Sequence, residues 1–419
     1  MTRDVRLLFA TRSVRMFGYG SLAVVLVLYL AAVGLDGAQI GLLLALTLLG
    51  DTLVSLWLTT RADRFGRRRT LVVGALLMAG AGVVFAWAGA LPAGVERFAV
   101  LVVAATIGVL SPSGNEVGPF LAVEQAGLSQ VIDDRRRTAV FARYNLAGSV
   151  ATAFGALTTG VAIGALLASG MATLDAYRVV LLAYAVLAIV LVPLVRAVSP
   201  AVELPARQAG PDEGLAADVA RRFGLHRSRG IVLRLSLLFS LDAFAGGFVM
   251  QSLIAYWFHV RFGVPEVTIG VILFGANLLA AASALAAARI AARIGLVNTM
   301  VFTHLPSNVL LLLVPLMPTL PLAAAVLLGR FAISQMDVPT RQSYTMAVVD
   351  PDERSAAAGV TGIARTTGAS ISPLLAAPLI AVPALAAVPF LIAGGLKIVY
   401  DLLLWRAFRA RPAPEEAPR

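Results

Sequence analysis

Residues 40–72 read IGLLLALTLLGDTLVSLWLTTRADRFGRRRTLV. The first twenty or so positions are apolar apart from Asp51, a run long enough to cross about 30 Å of hydrocarbon as a helix. Arginines follow at once, at Arg61, Arg64, Arg67, Arg68 and Arg69. An apolar span closed by an arginine-rich connector is the pattern of a membrane helix whose end is held on the cytoplasmic side. Shifted by 229 residues without a gap, the stretch aligns with IGVILFGANLLAAASALAAARIAARIGLVNTMV at 269–301. Ile40, Gly41, Leu44, Leu49, Leu56, Ala62, Arg64, Gly66, Thr70 and Val72 all meet identical partners. Span and basic turn occur twice, as a tandem duplication requires.

The rest of the chain reads the same way. Hydrophobic residues make up 59% and charged residues 14% of 419 positions, where soluble proteins carry about a quarter charged residues. So little polar surface cannot coat a water-soluble globule. Apolar stretches recur at roughly 8–34, 38–61, 70–90, 98–128, 139–168, 178–198, 231–260, 266–290, 299–317, 320–348, 356–382 and 384–406. Unpaired backbone groups are not tolerated in lipid, and nothing alternates apolar with polar as barrel strands do, so the stretches are predicted to be helices. The expected fold is an all-α membrane protein of 12 transmembrane helices in two six-helix repeats, 1–198 and 231–419, joined by a Pro- and Gly-rich linker at 199–230. Within the linker, Leu215, Val219 and Phe223 recur at four-residue spacing, which suits a short helix on the membrane surface as well as a solvated connector.

The net charge of +11 invites a nucleic-acid reading, but the basic residues lie in connectors between spans. One set of connectors holds only Arg97, Arg178 and Arg261; the alternate set holds most of the rest, Arg135, Arg136 and Arg137 among them. Both termini are therefore expected inside the cell, with no nucleic-acid partner. Arg3, Arg6, Arg12 and Arg15 precede the first apolar run, which lacks a small-residue cleavage site and reads as a retained helix rather than a signal peptide. With no cysteine, thiol chemistry is excluded. His226, His259 and His304 are scattered, and neither a metalloprotease helix, a nucleophile elbow nor a phosphate loop is present, so no enzyme, metal or cofactor is expected.

At 59–69, TTRADRFGRRR resembles the motif that joins helices two and three in the major facilitator superfamily, Gly-x-Leu-x-Asp-Arg-x-Gly-Arg-Arg/Lys. Asp63, Arg64, Gly66, Arg67 and Arg68 match, while Thr59 and Arg61 replace the usual Gly and Leu; RIAARIGL at 289–296 is the weaker echo. The resemblance implies a monomeric secondary transporter in the plasma (inner) membrane, carrying a small solute by alternating access. It also implies that the connector latches one access state, with Asp63 holding the gate; topological charge alone is the other reading of its arginines. The superfamily's antiporter pattern in helix five, Gly-x-x-x-Gly-Pro-x-x-Gly-Gly, survives in GSVATAFGALTTG (148–160) as Gly148, Gly155 and Gly160, with Ala156 at the proline position. That remnant favours export over uptake, although the glycines also suit close helix packing; proton-coupled efflux is the leading expectation, with uptake, facilitated exchange or a transporter-shaped receptor as the alternatives.

Ionisable groups at bilayer depth are costly and are functional candidates by default. The candidates for proton coupling or a substrate site are Asp51, Asn115, Glu116, Arg143, Asp242, Arg330 and Asp337. Span four is the most irregular: TIGVLSPSGNEVGPF (106–120) puts Pro112, Gly114, Gly118 and Pro119 mid-span, and non-helical backbone at that depth must line a cavity or be covered by protein. Ser113 and Glu116 fit a capping box that restarts the helix. Asp51, in an unbroken apolar run with no basic residue within a turn, is the expected proton carrier over Glu116. By spacing, Lys397 pairs with Asp401 and Asp337 with Arg341; Glu124 and Arg143 are expected to bridge spans four and five.

Overall fold

The computed structural model describes residues 2–116, 118–132, 134–203, 227–350 and 353–410, without the side chains of Asp63, residues 134–139 and Ser355. The predicted surface helix at Leu215, Val219 and Phe223 lies outside the described residues. All regular structure among them is helical. Among the described residues, ten helical stretches are long and apolar enough to cross a membrane.

By contacts the chain forms two compact units, Met1–Asp212 with Met250–Phe274, and Glu213–Val249 with Gly275–Arg419. The first holds α1 (Arg3–Ala32), α2 (Gly37–Phe65), α3 (Arg67–Ala88), α4 (Val95–Ile107), α5 (Phe120–Val131), α6 (Asp134–Ala168) and α7 (Thr173–Arg196). It also holds α9 (Gln251–Phe262), which follows α8 (Arg229–Gly247) of the second unit, and the start of α10 (Glu266–Ile294). The second unit continues with α11 (Leu296–Leu313), α12 (Leu320–Ser334), α13 (Asp337–Ala347), α14 (Arg354–Ile371), α15 (Pro373–Ala381) and α16 (Val388–Phe408).

Local chemistry sets the ends of these helices. At the start of α2 the Asp36 carboxylate accepts the Gln39 amide at 2.8 Å while the Gln39 side chain accepts the Asp36 amide at 3.1 Å, a complete capping box. Gly66 separates α2 from α3 at φ +99°, and its repeat partner Gly295 separates α10 from α11 at φ +86°; a side chain resists that left-handed turn. Predicted span four is two short helices, α4 and α5, because the Pro- and Gly-rich segment between them does not coil. Predicted span eleven is divided at Ser372 and Pro373 into α14 and α15.

α1 begins at Arg3, five residues before the predicted start, and is buried along most of its length against α6 and α7. Its crossing with α6 depends on glycine: a Cβ on Gly20 would stand 2.0 Å from the Thr152 carbonyl oxygen, and one on Gly155 2.0 Å from that of Phe17. Small residues that let backbones touch are the usual means of helix association where lipid is as apolar as leucine. This accounts for Gly155 in the remnant pattern by packing, and Gly148 is likewise covered by the Arg12 guanidinium.

Candidate functional site

The unwound segment between α4 and α5 sets the geometry of the first unit. Its backbone polar groups need partners at this depth, and the partners are specific. The Tyr184 hydroxyl donates to the Val109 carbonyl at 2.6 Å, the Ser252 amide to the Pro112 carbonyl at 3.1 Å, and the Ser111 hydroxyl to the Asn115 carbonyl at 2.7 Å. The Gly118 amide donates to Asp51 Oδ1 at 2.7 Å. Asp51, on α2, thus clasps the break directly, and Ser55 one turn on donates to the same oxygen at 3.4 Å. No cation touches Asp51 among the described residues. Asn115 is exposed on the break, and its side-chain amide has no partner among the described residues.

The capping-box reading of Glu116 is corrected. Helix resumes at Phe120, the Ser113 hydroxyl accepts from the Asn115 amide at 3.3 Å, and Glu116 is taken by arginines. Arg12 Nη1 donates to Glu116 Oε2 at 2.6 Å and Arg15 Nε to Glu116 Oε1 at 2.8 Å. Arg15 then makes a two-pronged pair with Glu124, Nη1 to Oε1 at 2.9 Å and Nη2 to Oε2 at 2.8 Å. The Thr11 hydroxyl donates to Glu124 at 2.8 Å, and the Tyr144 hydroxyl also donates to it. Arg15 and Glu124 are both fully buried. The expected Glu124–Arg143 bridge is therefore absent: Arg143 is exposed on α6, and a buried arginine of α1 occupies the acid. Arg12 and Arg15 were missed in the sequence because they precede the apolar run, where charge reads as topological. A two-pronged guanidinium–carboxylate pair is the arrangement best able to hold charge in a dry interior.

In the second unit one carboxylate gathers three cations. Asp242 on α8 receives Lys397 of α16 at 2.5 Å on Oδ1, and Arg341 of α13 and Arg365 of α14 at 3.3 Å each on Oδ2. Arg341 also holds Asp337 at 2.9 Å, as the spacing predicts, but both are buried within this group rather than near a surface. The Lys397–Asp401 pairing is corrected: Lys397 reaches across to α8, and Asp401 instead bonds His304 Nδ1 and Asn308 Nδ2, both on α11, at 2.8 Å each. Arg330 on α12 is buried, lies over the Phe331 ring at 4.9 Å, and has a buried Nε without a hydrogen-bond partner.

With both networks in view, the comparisons decide the family. The profile of the Major Facilitator Superfamily matches residues 8–373. The chain belongs to this superfamily. It is 30% identical to the Saccharomyces cerevisiae membrane protein YJR124C over 96% of this chain and 93% of that one. Its fold is similar to that of the nucleoside transporter NupG, at 14% identity and TM-score 0.72 over 97% of this chain and 100% of that chain. It is also similar to that of the D-xylose-proton symporter, at 16% identity and TM-score 0.72 over 98% of each. The protein is accordingly a multi-pass membrane protein with a transporter fold.

The superfamily connector between α2 and α3 is built around an acid that the sequence did not single out. Glu203 Oε2 accepts the Arg67 amide at 2.6 Å and Oε1 the Arg68 amide at 3.1 Å, so a carboxylate caps the positive end of α3. Arg67 Nη1 donates to the Val202 carbonyl at 2.9 Å and Arg68 Nη2 to that of Arg196 at 2.7 Å, which ties the motif to the end of α7. Arg64 is exposed, and the Asp63 side chain lies outside the described residues. The second unit repeats the device: Glu353 accepts the amides of Arg227 and Ser228 at 2.9 Å each, at the start of α8.

Proposed function

We propose that this superfamily member moves a small solute across the membrane by alternating access, coupled to a proton that Asp51 carries. The observation behind the coupling is the bond from the Gly118 amide to a carboxylate with no cation in contact. Such a group takes up and releases a proton without breaking an ion pair, whereas Glu116 and Glu124 each hold arginines. Protonation removes the charge that strengthens the bond to the Gly118 amide, so proton occupancy is linked to the unwound segment's conformation. Asn115, exposed on that segment, is assigned to the solute path.

The test is an infrared titration of the reconstituted protein. Wild type is expected to show a protonated-carboxyl band that rises and falls with pH and disappears in Asp51→Asn, together with loss of pH-gradient-driven flux. A band and gradient-driven flux that both survive Asp51→Asn and vanish in Glu116→Gln would assign coupling to the break instead.

The topology we propose is twelve spans, in repeats 1–198 and 231–419, with both termini and the 199–230 linker in the cytoplasm. Alternate connectors carry the arginines, which is the support for it. Reporter fusions after residues 94 and 210 are expected to report opposite sides of the plasma membrane; equal signals overturn the twelve-span arrangement. Efflux is the direction the helix-five remnant suggests, yet packing accounts for two of its glycines, so sealed vesicles energised in each orientation are the measurement that separates export from uptake.

A further inference from the structure

We infer that the turn between α2 and α3 carries a binding site for an anionic phospholipid, an inference that does not rest on the transport reading. A cavity of about 680 Å³ lies at this turn, within the first unit. Its charged end is formed by Arg64 at the end of α2, Arg68 and Arg69 in the first turn of α3, and Arg196 at the end of α7. The one acid in the wall is Glu203, whose two oxygens already accept the Arg67 and Arg68 amides. Four guanidiniums therefore share one space with a single carboxylate among the described side chains.

The positive charge there is poorly answered. Arg69 and Arg196 are exposed, and neither side chain makes an ion pair or a hydrogen bond among the described residues. Arg68 donates Nη2 to the Arg196 carbonyl at 2.7 Å, and its Nε is buried without a hydrogen-bond partner. A buried donor left unpaired is costly, and like charges around one cavity repel. A phosphate group relieves both, because guanidinium forks match its oxygens in geometry and charge.

A soluble phosphate would fill only half of the site. Away from the arginines the wall becomes apolar, with Phe65, Val72 and Val73, and Phe65 is 49% exposed. Val73 stands one turn along α3 from Arg69, and Leu76, Gly80 and Val83, all exposed, continue the same helix face. Arginines at the mouth and an open apolar track leading from them along a membrane helix have the form of a phospholipid: headgroup and glycerol in the cavity, one acyl chain along α3. The volume falls in the range of about 300–1,000 Å³ that holds a small organic molecule. The headgroup is anionic rather than zwitterionic, since choline or ethanolamine would add a cation where cations are already in excess. Anionic lipids concentrate in the cytoplasmic leaflet, the side on which this connector is proposed to lie.

The experiment is native mass spectrometry of the full chain in detergent, titrated with dioleoylphosphatidylglycerol, dioleoylphosphatidylcholine and glycerol 3-phosphate. Phosphatidylglycerol is expected to bind at a concentration at least about tenfold below that of phosphatidylcholine, and glycerol 3-phosphate is expected neither to bind nor to compete. Arg69→Gln combined with Arg196→Gln should raise the half-saturating concentration of phosphatidylglycerol about 25-fold, taking about fivefold for each arginine, with phosphatidylcholine unmoved. The same charge removed at the repeated connector, Arg289→Gln with Arg293→Gln, also exposed positions, should shift phosphatidylglycerol binding by less than about twofold. Equal losses in the two double variants would mean that the lipid responds to overall charge and not to the cavity, which overturns the site. Equal binding of phosphatidylcholine overturns it as well. Displacement of phosphatidylglycerol by glycerol 3-phosphate assigns the arginines to a soluble phosphate ester and overturns the lipid. Should the Arg69 and Arg196 double variant not be recovered, Arg196→Gln alone decides the matter, with an expected loss of about fivefold; an unchanged affinity there counts against the site.

Discussion

Arg15→Met is expected to cost about 3–5 kcal/mol of stability, because it leaves Glu124 charged and unpaired in a dry interior. Arg15 and Glu124 are both wholly buried and share two parallel bonds at 2.8 and 2.9 Å. Arg15 is also the second partner of Glu116, so its removal leaves Glu116 with Arg12 alone. The measurement is recovery of monodisperse protein and its melting temperature in detergent. Arg15→Met combined with Glu124→Gln should regain most of the loss, since a neutral amide can accept from one of the Thr11 and Tyr144 hydroxyls and donate to the other, and no charge is stranded. The cost then belongs to the uncompensated acid rather than to lost packing. Equal damage in single and double variants would mean that Arg15 acts through its contact with the Phe120 ring, 4.4 Å away, and not through the ion pair.

What the sequence disclosed and what it hid divide along physical lines. Apolar length and arginine placement are local quantities, so the helical membrane fold and the superfamily were legible from 40–72 and its repeat. The break in the fourth span was legible too, because Pro112, Gly114, Gly118 and Pro119 act on their own backbone. Side-chain partners were not, since helices distant in sequence bring them together. Spacing on one helix pointed from Lys397 to Asp401, yet each finds a closer partner on another helix, Asp242 and His304. Only Asp337 and Arg341, where the same-helix partner is also the nearest, paired as spacing implied. Arg12 and Arg15 were set with the charges ahead of the first apolar run and given no partner, although both fall inside the expected span 8–34; two acids on span four without a cation on that span were the signal that arginines had to come from elsewhere. Glu203 lies beyond the end of α7, and nothing in its own neighbourhood marks it as the cap of α3.

Asp242→Asn is expected to be the most damaging single change in the second unit. Three cations, Lys397, Arg341 and Arg365, lie within 3.3 Å of this one carboxylate. Removing its charge leaves Lys397 without an anion in contact and takes the 3.3 Å partner from Arg365, at a cost of about 3–5 kcal/mol. Arg341 suffers less because Asp337 remains at 2.9 Å. This asymmetry predicts which second change rescues the first. Lys397→Met in the Asp242→Asn background removes the most exposed consequence, a stranded ammonium, and fills its place with an apolar chain of similar length; it should restore most of the melting temperature. Arg341→Met in the same background should not, because it strands Asp337 in turn. The comparison is read from thermal unfolding of the three variants beside wild type. If Arg341→Met rescues as well as Lys397→Met does, the four groups share their charge as one delocalised cluster, and the pairing of Lys397 with Asp242 at 2.5 Å is not its energetic centre.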